Sequence, residues 1–377
     1  MASEVLKKGG EVTSEVWGET RGFDFEGMRF GMKAWRASAS DAGEGDAPAV
    51  PIVLVHGFAQ QASTWNDAVR LLAGAGAECF GFELAGHGAG ACSAGGDPAE
   101  RPDFFDLCFQ ARALLAFCRV VARDAGVAPV LVGYSMGGRV ALQAACLAAD
   151  DLRDGDQFGR ISLRSSAAFA PCDRTDRLDV TGVGQRDTAA TSAGDAVRMP
   201  AAVPFSALVL ESAGLGPADD AAREALRERN FAWAARVRDE GVSAFMDWWA
   251  GLPLFESQRN LDDDQRERLR AGRLANDAES LALSFEQAGA HQMPLRCESI
   301  RALCELSRRG VPVSYLAGRL DAKYCEVLAN LRADSQGAVS CRVVPAAGHN
   351  IHLEQSEAFN AILGEVVESC TPEPAAP

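Results

Sequence analysis

The sequence predicts an α/β fold: a mostly parallel central sheet with helices on both faces, an N-terminal hairpin and a helical cap. Three patterns predict it. Continuous apolar runs at residues 50–55 and 129–134 have the character of strands buried on both faces. Segments of helical period separate such runs, and strands alternating with helices build a parallel sheet. A long stretch with helical pattern and no strand then interrupts the rhythm before it resumes near the C-terminus.

The chain has 377 residues, 47% of them hydrophobic, enough to bury a core larger than a single small domain needs. Its net charge of −15 argues against nucleic acid or an anionic membrane surface as partner, since both call for a basic patch. An anionic ligand would need locally placed Arg or Lys. The N-terminal MASEVLKKGGEV has neither an apolar centre nor a small-residue cleavage site, and no apolar stretch reaches the roughly 18 residues of a membrane span. The 11 cysteines are scattered without a CxxC pair, which reads as reduced thiols rather than a zinc site or a disulfide framework. A cytoplasmic location is expected, with no metal or organic cofactor indicated.

In order, residues 15–36 alternate apolar and polar around Gly22, Gly27 and Gly31, as an antiparallel hairpin does. Residues 37–48 form a small-residue linker. A buried strand at 50–55, a helix at 64–73, a strand at 78–84, a helix at 104–125, a buried strand at 129–134 and an apolar helix at 136–149 follow. Residues 150–204 are rich in Asp, Arg, Ser, Thr, Gly and Ala without period, and are expected to be a mobile insertion before a strand at 205–210. Residues 218–295 are helical in pattern, with Trp233, Trp248, Trp249 and Phe255 among charges, and read as a cap. A strand at 311–317, a helix at 325–333, a strand at 340–344 and a helix at 354–367 complete the core, and the tail TPEPAAP is expected to be disordered. The expected organisation is core at 1–213, cap at 214–295 and core again at 296–377.

Gly133-Tyr134-Ser135-Met136-Gly137 is a G-x-S-x-G motif between a buried strand and an apolar helix, the context that gives it meaning. The glycines permit a sharp turn that lifts the serine hydroxyl above the sheet. A serine needs a base. His349, in Ala-Gly-His-Asn, follows one strand, and Asp321, in Gly-Arg-Leu-Asp, follows another. The order Ser135, Asp321, His349 is that of the α/β-hydrolase fold. The loop His56-Gly57-Phe58 follows the first buried strand, so the backbone N–H groups of Phe58 and Met136 are the expected oxyanion donors. His56 reads as structural and His87 as a loop organiser; His291 and His352 are expected in surface or local packing roles.

Arg139 sits four residues after Ser135, on the same helix face. It suits either a carboxylate-bearing substrate or a structural ion pair. The stretches GYSMGGRVALQAA, FMDWWAGLPLFES, LDDDQRERLRAGRLAND, AGRLDAKY and VPAAGHNIHLE resemble the MenH family, the pyruvate-eliminating synthases of menaquinone biosynthesis. The resemblance spans core and cap but not residues 150–204. It implies a lyase acting on a small polycarboxylated cyclohexene, with Ser135 as proton-abstracting base and Phe58 and Met136 holding the dienolate oxygen. It implies substrate contacts from Tyr134, Arg139, Trp248, Arg273 and Lys323. The family's cap arginine aligns with Leu226, so either Arg227 or Arg223 substitutes or the contact is lost. The loop Glu83-Leu84-Ala85-Gly86-His87-Gly88 departs from the family's Asp-x-Pro-Gly-His-Gly. The alternative is a serine hydrolase, an esterase or carbon–carbon bond hydrolase, on a small carboxylated substrate.

Overall fold

The computed structural model describes residues 17–36, 49–74, 77–88, 98–157 and 203–371. The expected linker at 37–48, most of the expected insertion (158–202) and the tail at 372–377 lie outside the described residues.

An eight-stranded sheet forms the centre, in the order β1-β2-β4-β3-β5-β6-β7-β8. Strands β1 (Trp17–Phe25) and β2 (Met28–Arg36) make the expected hairpin. Its two-residue turn, Glu26-Gly27, has φ of 45° and 85°, the positive pair that matches the strand twist. β2 pairs antiparallel with β4 (Cys79–Phe82). The other strands run parallel: β3 (Ile52–Val55), β5 (Val130–Tyr134), β6 (Ala207–Glu211), β7 (Val313–Gly318) and β8 (Ser340–Val344).

Side chains alternate between two cores, as a pleat of period two demands. Val53, Val55, Leu131, Leu208 and Leu210 join one core, with helices α2 (Leu107–Ala125), α3 (Met136–Gln157) and α7 (Arg296–Arg308). Ile52, Leu54, Val130, Val132 and Val209 join the other, with α1 (Asn66–Gly74) and the closing helix α10 (Ser356–Cys370). This double burial explains why the central strands read as unbroken apolar runs. Several boundaries shift by a few residues, and two of them have a visible local cause. α2 starts at Leu107, because residues 102–105 form a separate 3₁₀ turn and Asp106 then caps the helix, accepting the Phe109 N–H at 2.8 Å. α3 runs on through Gln157 into the expected insertion: Leu152 stays buried, and a polar helix face resembles a loop in composition.

Helices α4 (Asp220–Ala250), α5 (Asp263–Leu274) and α6 (Ala278–Gln287) lie between β6 and α7 in sequence. α4 breaks at Gly241, whose φ of 76° and ψ of 165° no helix contains. Phe245, Met246 and Trp249 from α4 pack with Leu281, Ala282 and Phe285 from α6 in a third core that includes Ala59, beside the expected oxyanion loop. The chain enters and leaves this helical segment at neighbouring points: Arg296 donates its N–H to Pro217 O at 2.8 Å, and a Cβ at Gly216 would overlap Pro294 O. The short helices α8 (Ala322–Asp334) and α9 (Ile351–Glu354) follow β7 and β8.

Candidate active site

Parallel strands present their C-terminal ends on one edge, and the loops after β3, β5, β7 and β8 carry Phe58, Ser135, Asp321 and His349 there. Ser135 has φ of 50°, a left-handed backbone that a serine adopts only under constraint. The flanking glycines make the turn possible. A Cβ at Gly137 would overlap Val55 O, and one at Gly133 would lie 2.7 Å from Gly137 O. A Cβ at Gly318 would overlap Gly348 O, so bare glycine lets the β7 and β8 loops meet.

The meeting assembles the expected triad. His349 donates from Nδ1 to Asp321 Oδ2 at 2.7 Å, which leaves Nε2 to accept the Ser135 hydroxyl at 3.0 Å. Asp321 also caps α8, accepting the Tyr324 N–H at 3.1 Å through its other oxygen. His349 and Asp321 are buried. Glu354 clasps the histidine loop, accepting the Gly348 N–H at 2.6 Å and the Asn350 N–H at 3.2 Å. Burial pushes the Glu354 carboxyl above its ordinary range, against these hydrogen bonds. Met136 stands at the first position of α3, where an N–H has no partner within the helix.

The other histidines organise the surroundings. His56 donates to Gly57 O at 2.8 Å and accepts the Leu84 N–H at 3.0 Å. His87 donates to Ala85 O at 2.8 Å, and burial, then His56, drives it down to about 3, so it stays neutral. Glu83, in the loop that departs from the family pattern, caps the turn at Ala62 through a 2.9 Å bond. His291 and His352 are not surface residues. His291 is buried against Asn230 at 2.9 Å, and His352 stacks on Trp65 at 3.7 Å between ring centroids.

A cavity of about 690 Å³ opens above Ser135 and His349, within the range of small-molecule sites. Phe58, Trp233, Trp249 and Phe285 form an apolar wall. The charged lining is Arg139, Arg229, Arg296 and Lys323 against a single carboxylate, Glu326. In a chain of net charge −15 this is a local reversal of sign. The surroundings of Arg139 bear on its two expected roles. Burial lowers it to about 10, its Nε has no hydrogen-bond partner, and no carboxylate lies within ion-pair distance of it among the described residues. Among the described residues, the guanidinium's one hydrogen bond goes from Nη2 to Ala288 O at 3.4 Å.

The expected binding set divides. Arg139 and Lys323 line the cavity with Ser135, His349 and Phe58. Arg227 does not: it is half exposed and paired with Glu224 at 2.6 Å on the outer face of α4. Arg223 is spent on His291 O and Met293 O, at 2.7 and 2.8 Å. Arg229 lines the cavity instead, its guanidinium 4.5 Å from the centre of Trp233 and held down by burial. Helical phase is the cause, because Ala222, Leu226, Arg229 and Trp233 share one face of α4 and Arg227 does not. Trp249 rather than Trp248 lines the cavity; Trp248 packs outward under Arg236, at 4.1 Å. Tyr134 and Arg273 are buried outside the cavity wall. Tyr134 lies under the histidines, 5.4 Å from the His349 ring, and Arg273 donates to Gln258 Oε1 at 3.0 Å.

The sequence pattern of the alpha/beta hydrolase family matches residues 52–362. The chain belongs to this family. Among alpha/beta hydrolase relatives, the 2-succinyl-6-hydroxy-2,4-cyclohexadiene-1-carboxylate synthase of Escherichia fergusonii is 35% identical over 41% of this chain, a match to 54% of its own length, so about half of that relative is spanned. The synthase of the same name from Citrobacter koseri is 28% identical over 82% of this chain and 91% of its own length. The solved structure of MenH from S. aureus superposes with a TM-score of 0.62 at 23% identity, covering 90% of this chain and 98% of that one, which speaks for a shared alpha/beta hydrolase fold.

Proposed function

We propose that the chain is a lyase that eliminates pyruvate from 2-succinyl-5-enolpyruvyl-6-hydroxy-3-cyclohexene-1-carboxylate, giving 2-succinyl-6-hydroxy-2,4-cyclohexadiene-1-carboxylate in menaquinone biosynthesis. The names of the full-length relatives support this, and one observation of this chain carries it: a cationic cavity directly above a Ser-His-Asp triad. In this reading residues 214–295 are the cap of a cytoplasmic enzyme, and the cavity holds the polycarboxylated cyclohexene. No helix among the described residues is long and apolar enough to cross a membrane.

Ser135 passes its hydroxyl proton to His349 Nε2 and takes the ring proton beside the succinyl ketone. The electron pair moves through the ring double bond and breaks the carbon–oxygen bond to the enolpyruvyl group. That group leaves as an enolate and takes up a proton as pyruvate. Charge develops on the ketone oxygen only along this path, so the N–H groups of Phe58 and Met136 favour the transition state over the substrate. Arg139 and Arg229 bind carboxylates, and Asp321 holds the imidazole in the tautomer that can accept a proton.

The test supplies the cyclohexene substrate enzymatically and measures pyruvate release. Release is expected from the native chain and is expected to vanish in Ser135→Ala. Equal rates in the two would sink the lyase reading, and rapid turnover of aryl esters with no pyruvate would make the chain a hydrolase.

A further inference from the structure

Strand β6 is apolar from Ala207 to Leu210 and ends in Glu211, which is wholly buried. A buried carboxylate costs several kcal/mol unless it is fully hydrogen-bonded. Glu211 spends its bonds in two directions. Its backbone oxygen accepts the N–H of Ser135 at 2.9 Å, on the strained turn of the nucleophile motif. Its carboxylate accepts both the backbone N–H of His352 at 3.1 Å and His352 Nδ1–H at 2.8 Å, on the helical turn that follows His349. The His352 ring is clamped between Trp65, stacked at 3.7 Å, and the edge of Tyr134, whose centroid is 5.0 Å away. Nδ1 must carry the proton, because it faces a carboxylate; Nε2 has no partner.

We propose that Glu211 is a positioning residue for the Ser135–His349 pair. One residue anchors both ends of the proton-transfer path: the serine turn through its main chain, the histidine turn through its side chain. The 3.0 Å gap between Ser135 Oγ and His349 Nε2 is thereby referred to a single point on the rigid sheet. Glu211 touches neither reacting atom and acts only through the two turns. The inference rests on the triad reading above.

Two full-chain variants test it. Glu211→Gln keeps the shape but sets an amide NH₂ against His352 Nδ1–H. Glu211→Leu with His352→Leu removes both ionisable side chains, a replacement that commonly costs little stability, and leaves only the residue-352 amide without its acceptor. The readouts are Tm, kcat and KM for pyruvate release, and the low-field proton resonance of His349 Nδ1–H. In Glu211→Gln, kcat is expected to fall about tenfold or more with KM within about twofold, and the proton resonance to shift or broaden. In the double variant Tm returns towards native while kcat and the resonance do not. Native kcat and an unmoved resonance in either variant, or activity that recovers in step with Tm, would overturn the proposal. Should Glu211→Gln not fold, the double variant decides alone. If the native chain releases no pyruvate, the lyase reading falls, and the resonance still decides the role of Glu211.

Discussion

Arg139 carries a positive charge into a half-buried place where no carboxylate waits for it among the described residues. Two opposite consequences follow. Losing the guanidinium removes a charge-assisted partner for an anionic substrate, so Arg139→Met is expected to lower kcat/KM by about a hundredfold in the pyruvate-release assay. It also relieves desolvation, so the same variant is expected to raise Tm. The sign agrees with the titration: burial brings the group down from its ordinary range to about 10, so the folded state binds this proton less well than the unfolded chain. Native stability from this group is therefore regained as pH rises above about 10 towards the ordinary arginine range, and Arg139→Met abolishes that gain. Arg229 and Arg227 give a paired comparison. Arg229→Gln is expected to raise KM about tenfold, because it faces the cavity. Arg227→Gln is expected to leave kinetics unchanged, because an exposed pair such as Arg227–Glu224 is worth about 0–1 kcal/mol.

The turn of α9 shows how a short element is held for a purpose. Glu354 closes it by reaching back to the amides on either side of His349. Burial raises its carboxyl, so its stabilising contribution is present below its ordinary 4.5 and is lost as pH rises through the raised value. Glu354→Gln is thus expected to melt at a higher temperature than the native chain at neutral pH, with the difference closing in acid. An amide has a single acceptor oxygen, so one of the two N–H groups loses its bond, and kcat is expected to fall while KM holds. The elements themselves were largely legible from period and punctuation. The double-faced strands β3, β5 and β6 announce themselves as apolar runs, and the nucleophile turn by its glycines. What was not legible depends on tertiary contact. Nothing local to His352 tells of Trp65 or Glu211, so its burial could not be read. The arginines expected from alignment, Arg227 and Arg223, do not line the cavity, whereas the 222, 226, 229, 233 spacing on α4 brings Arg229 to it. Charged runs hid the continuation of α3, because a solvated helix and a loop share a composition.

At the scale of the whole molecule, net charge and site charge have opposite signs. On the proposed reading, a polyanionic substrate approaches a body of its own sign and meets a cluster of cations at the cavity. Salt screens the first more than the second, since the Debye length shrinks from about 30 Å at 0.01 M to about 8 Å at 0.15 M while the arginines are partly buried. A modest rise in kcat/KM, about twofold, is expected over that range when assays are repeated at stepped ionic strength. A fall instead would mean that the local field already governs approach at long range.

The paired crossing at Pro217 and Arg296 bears on how such a molecule could be altered. The segment departs and returns within one hydrogen bond, so a splice there joins neighbouring points of the chain. On the proposed reading the helices above the triad are an exchangeable head on a narrow neck. Transplanting residues 218–295 from a relative, spliced at that neck, would change which substrate is admitted and leave the triad's own geometry to the sheet.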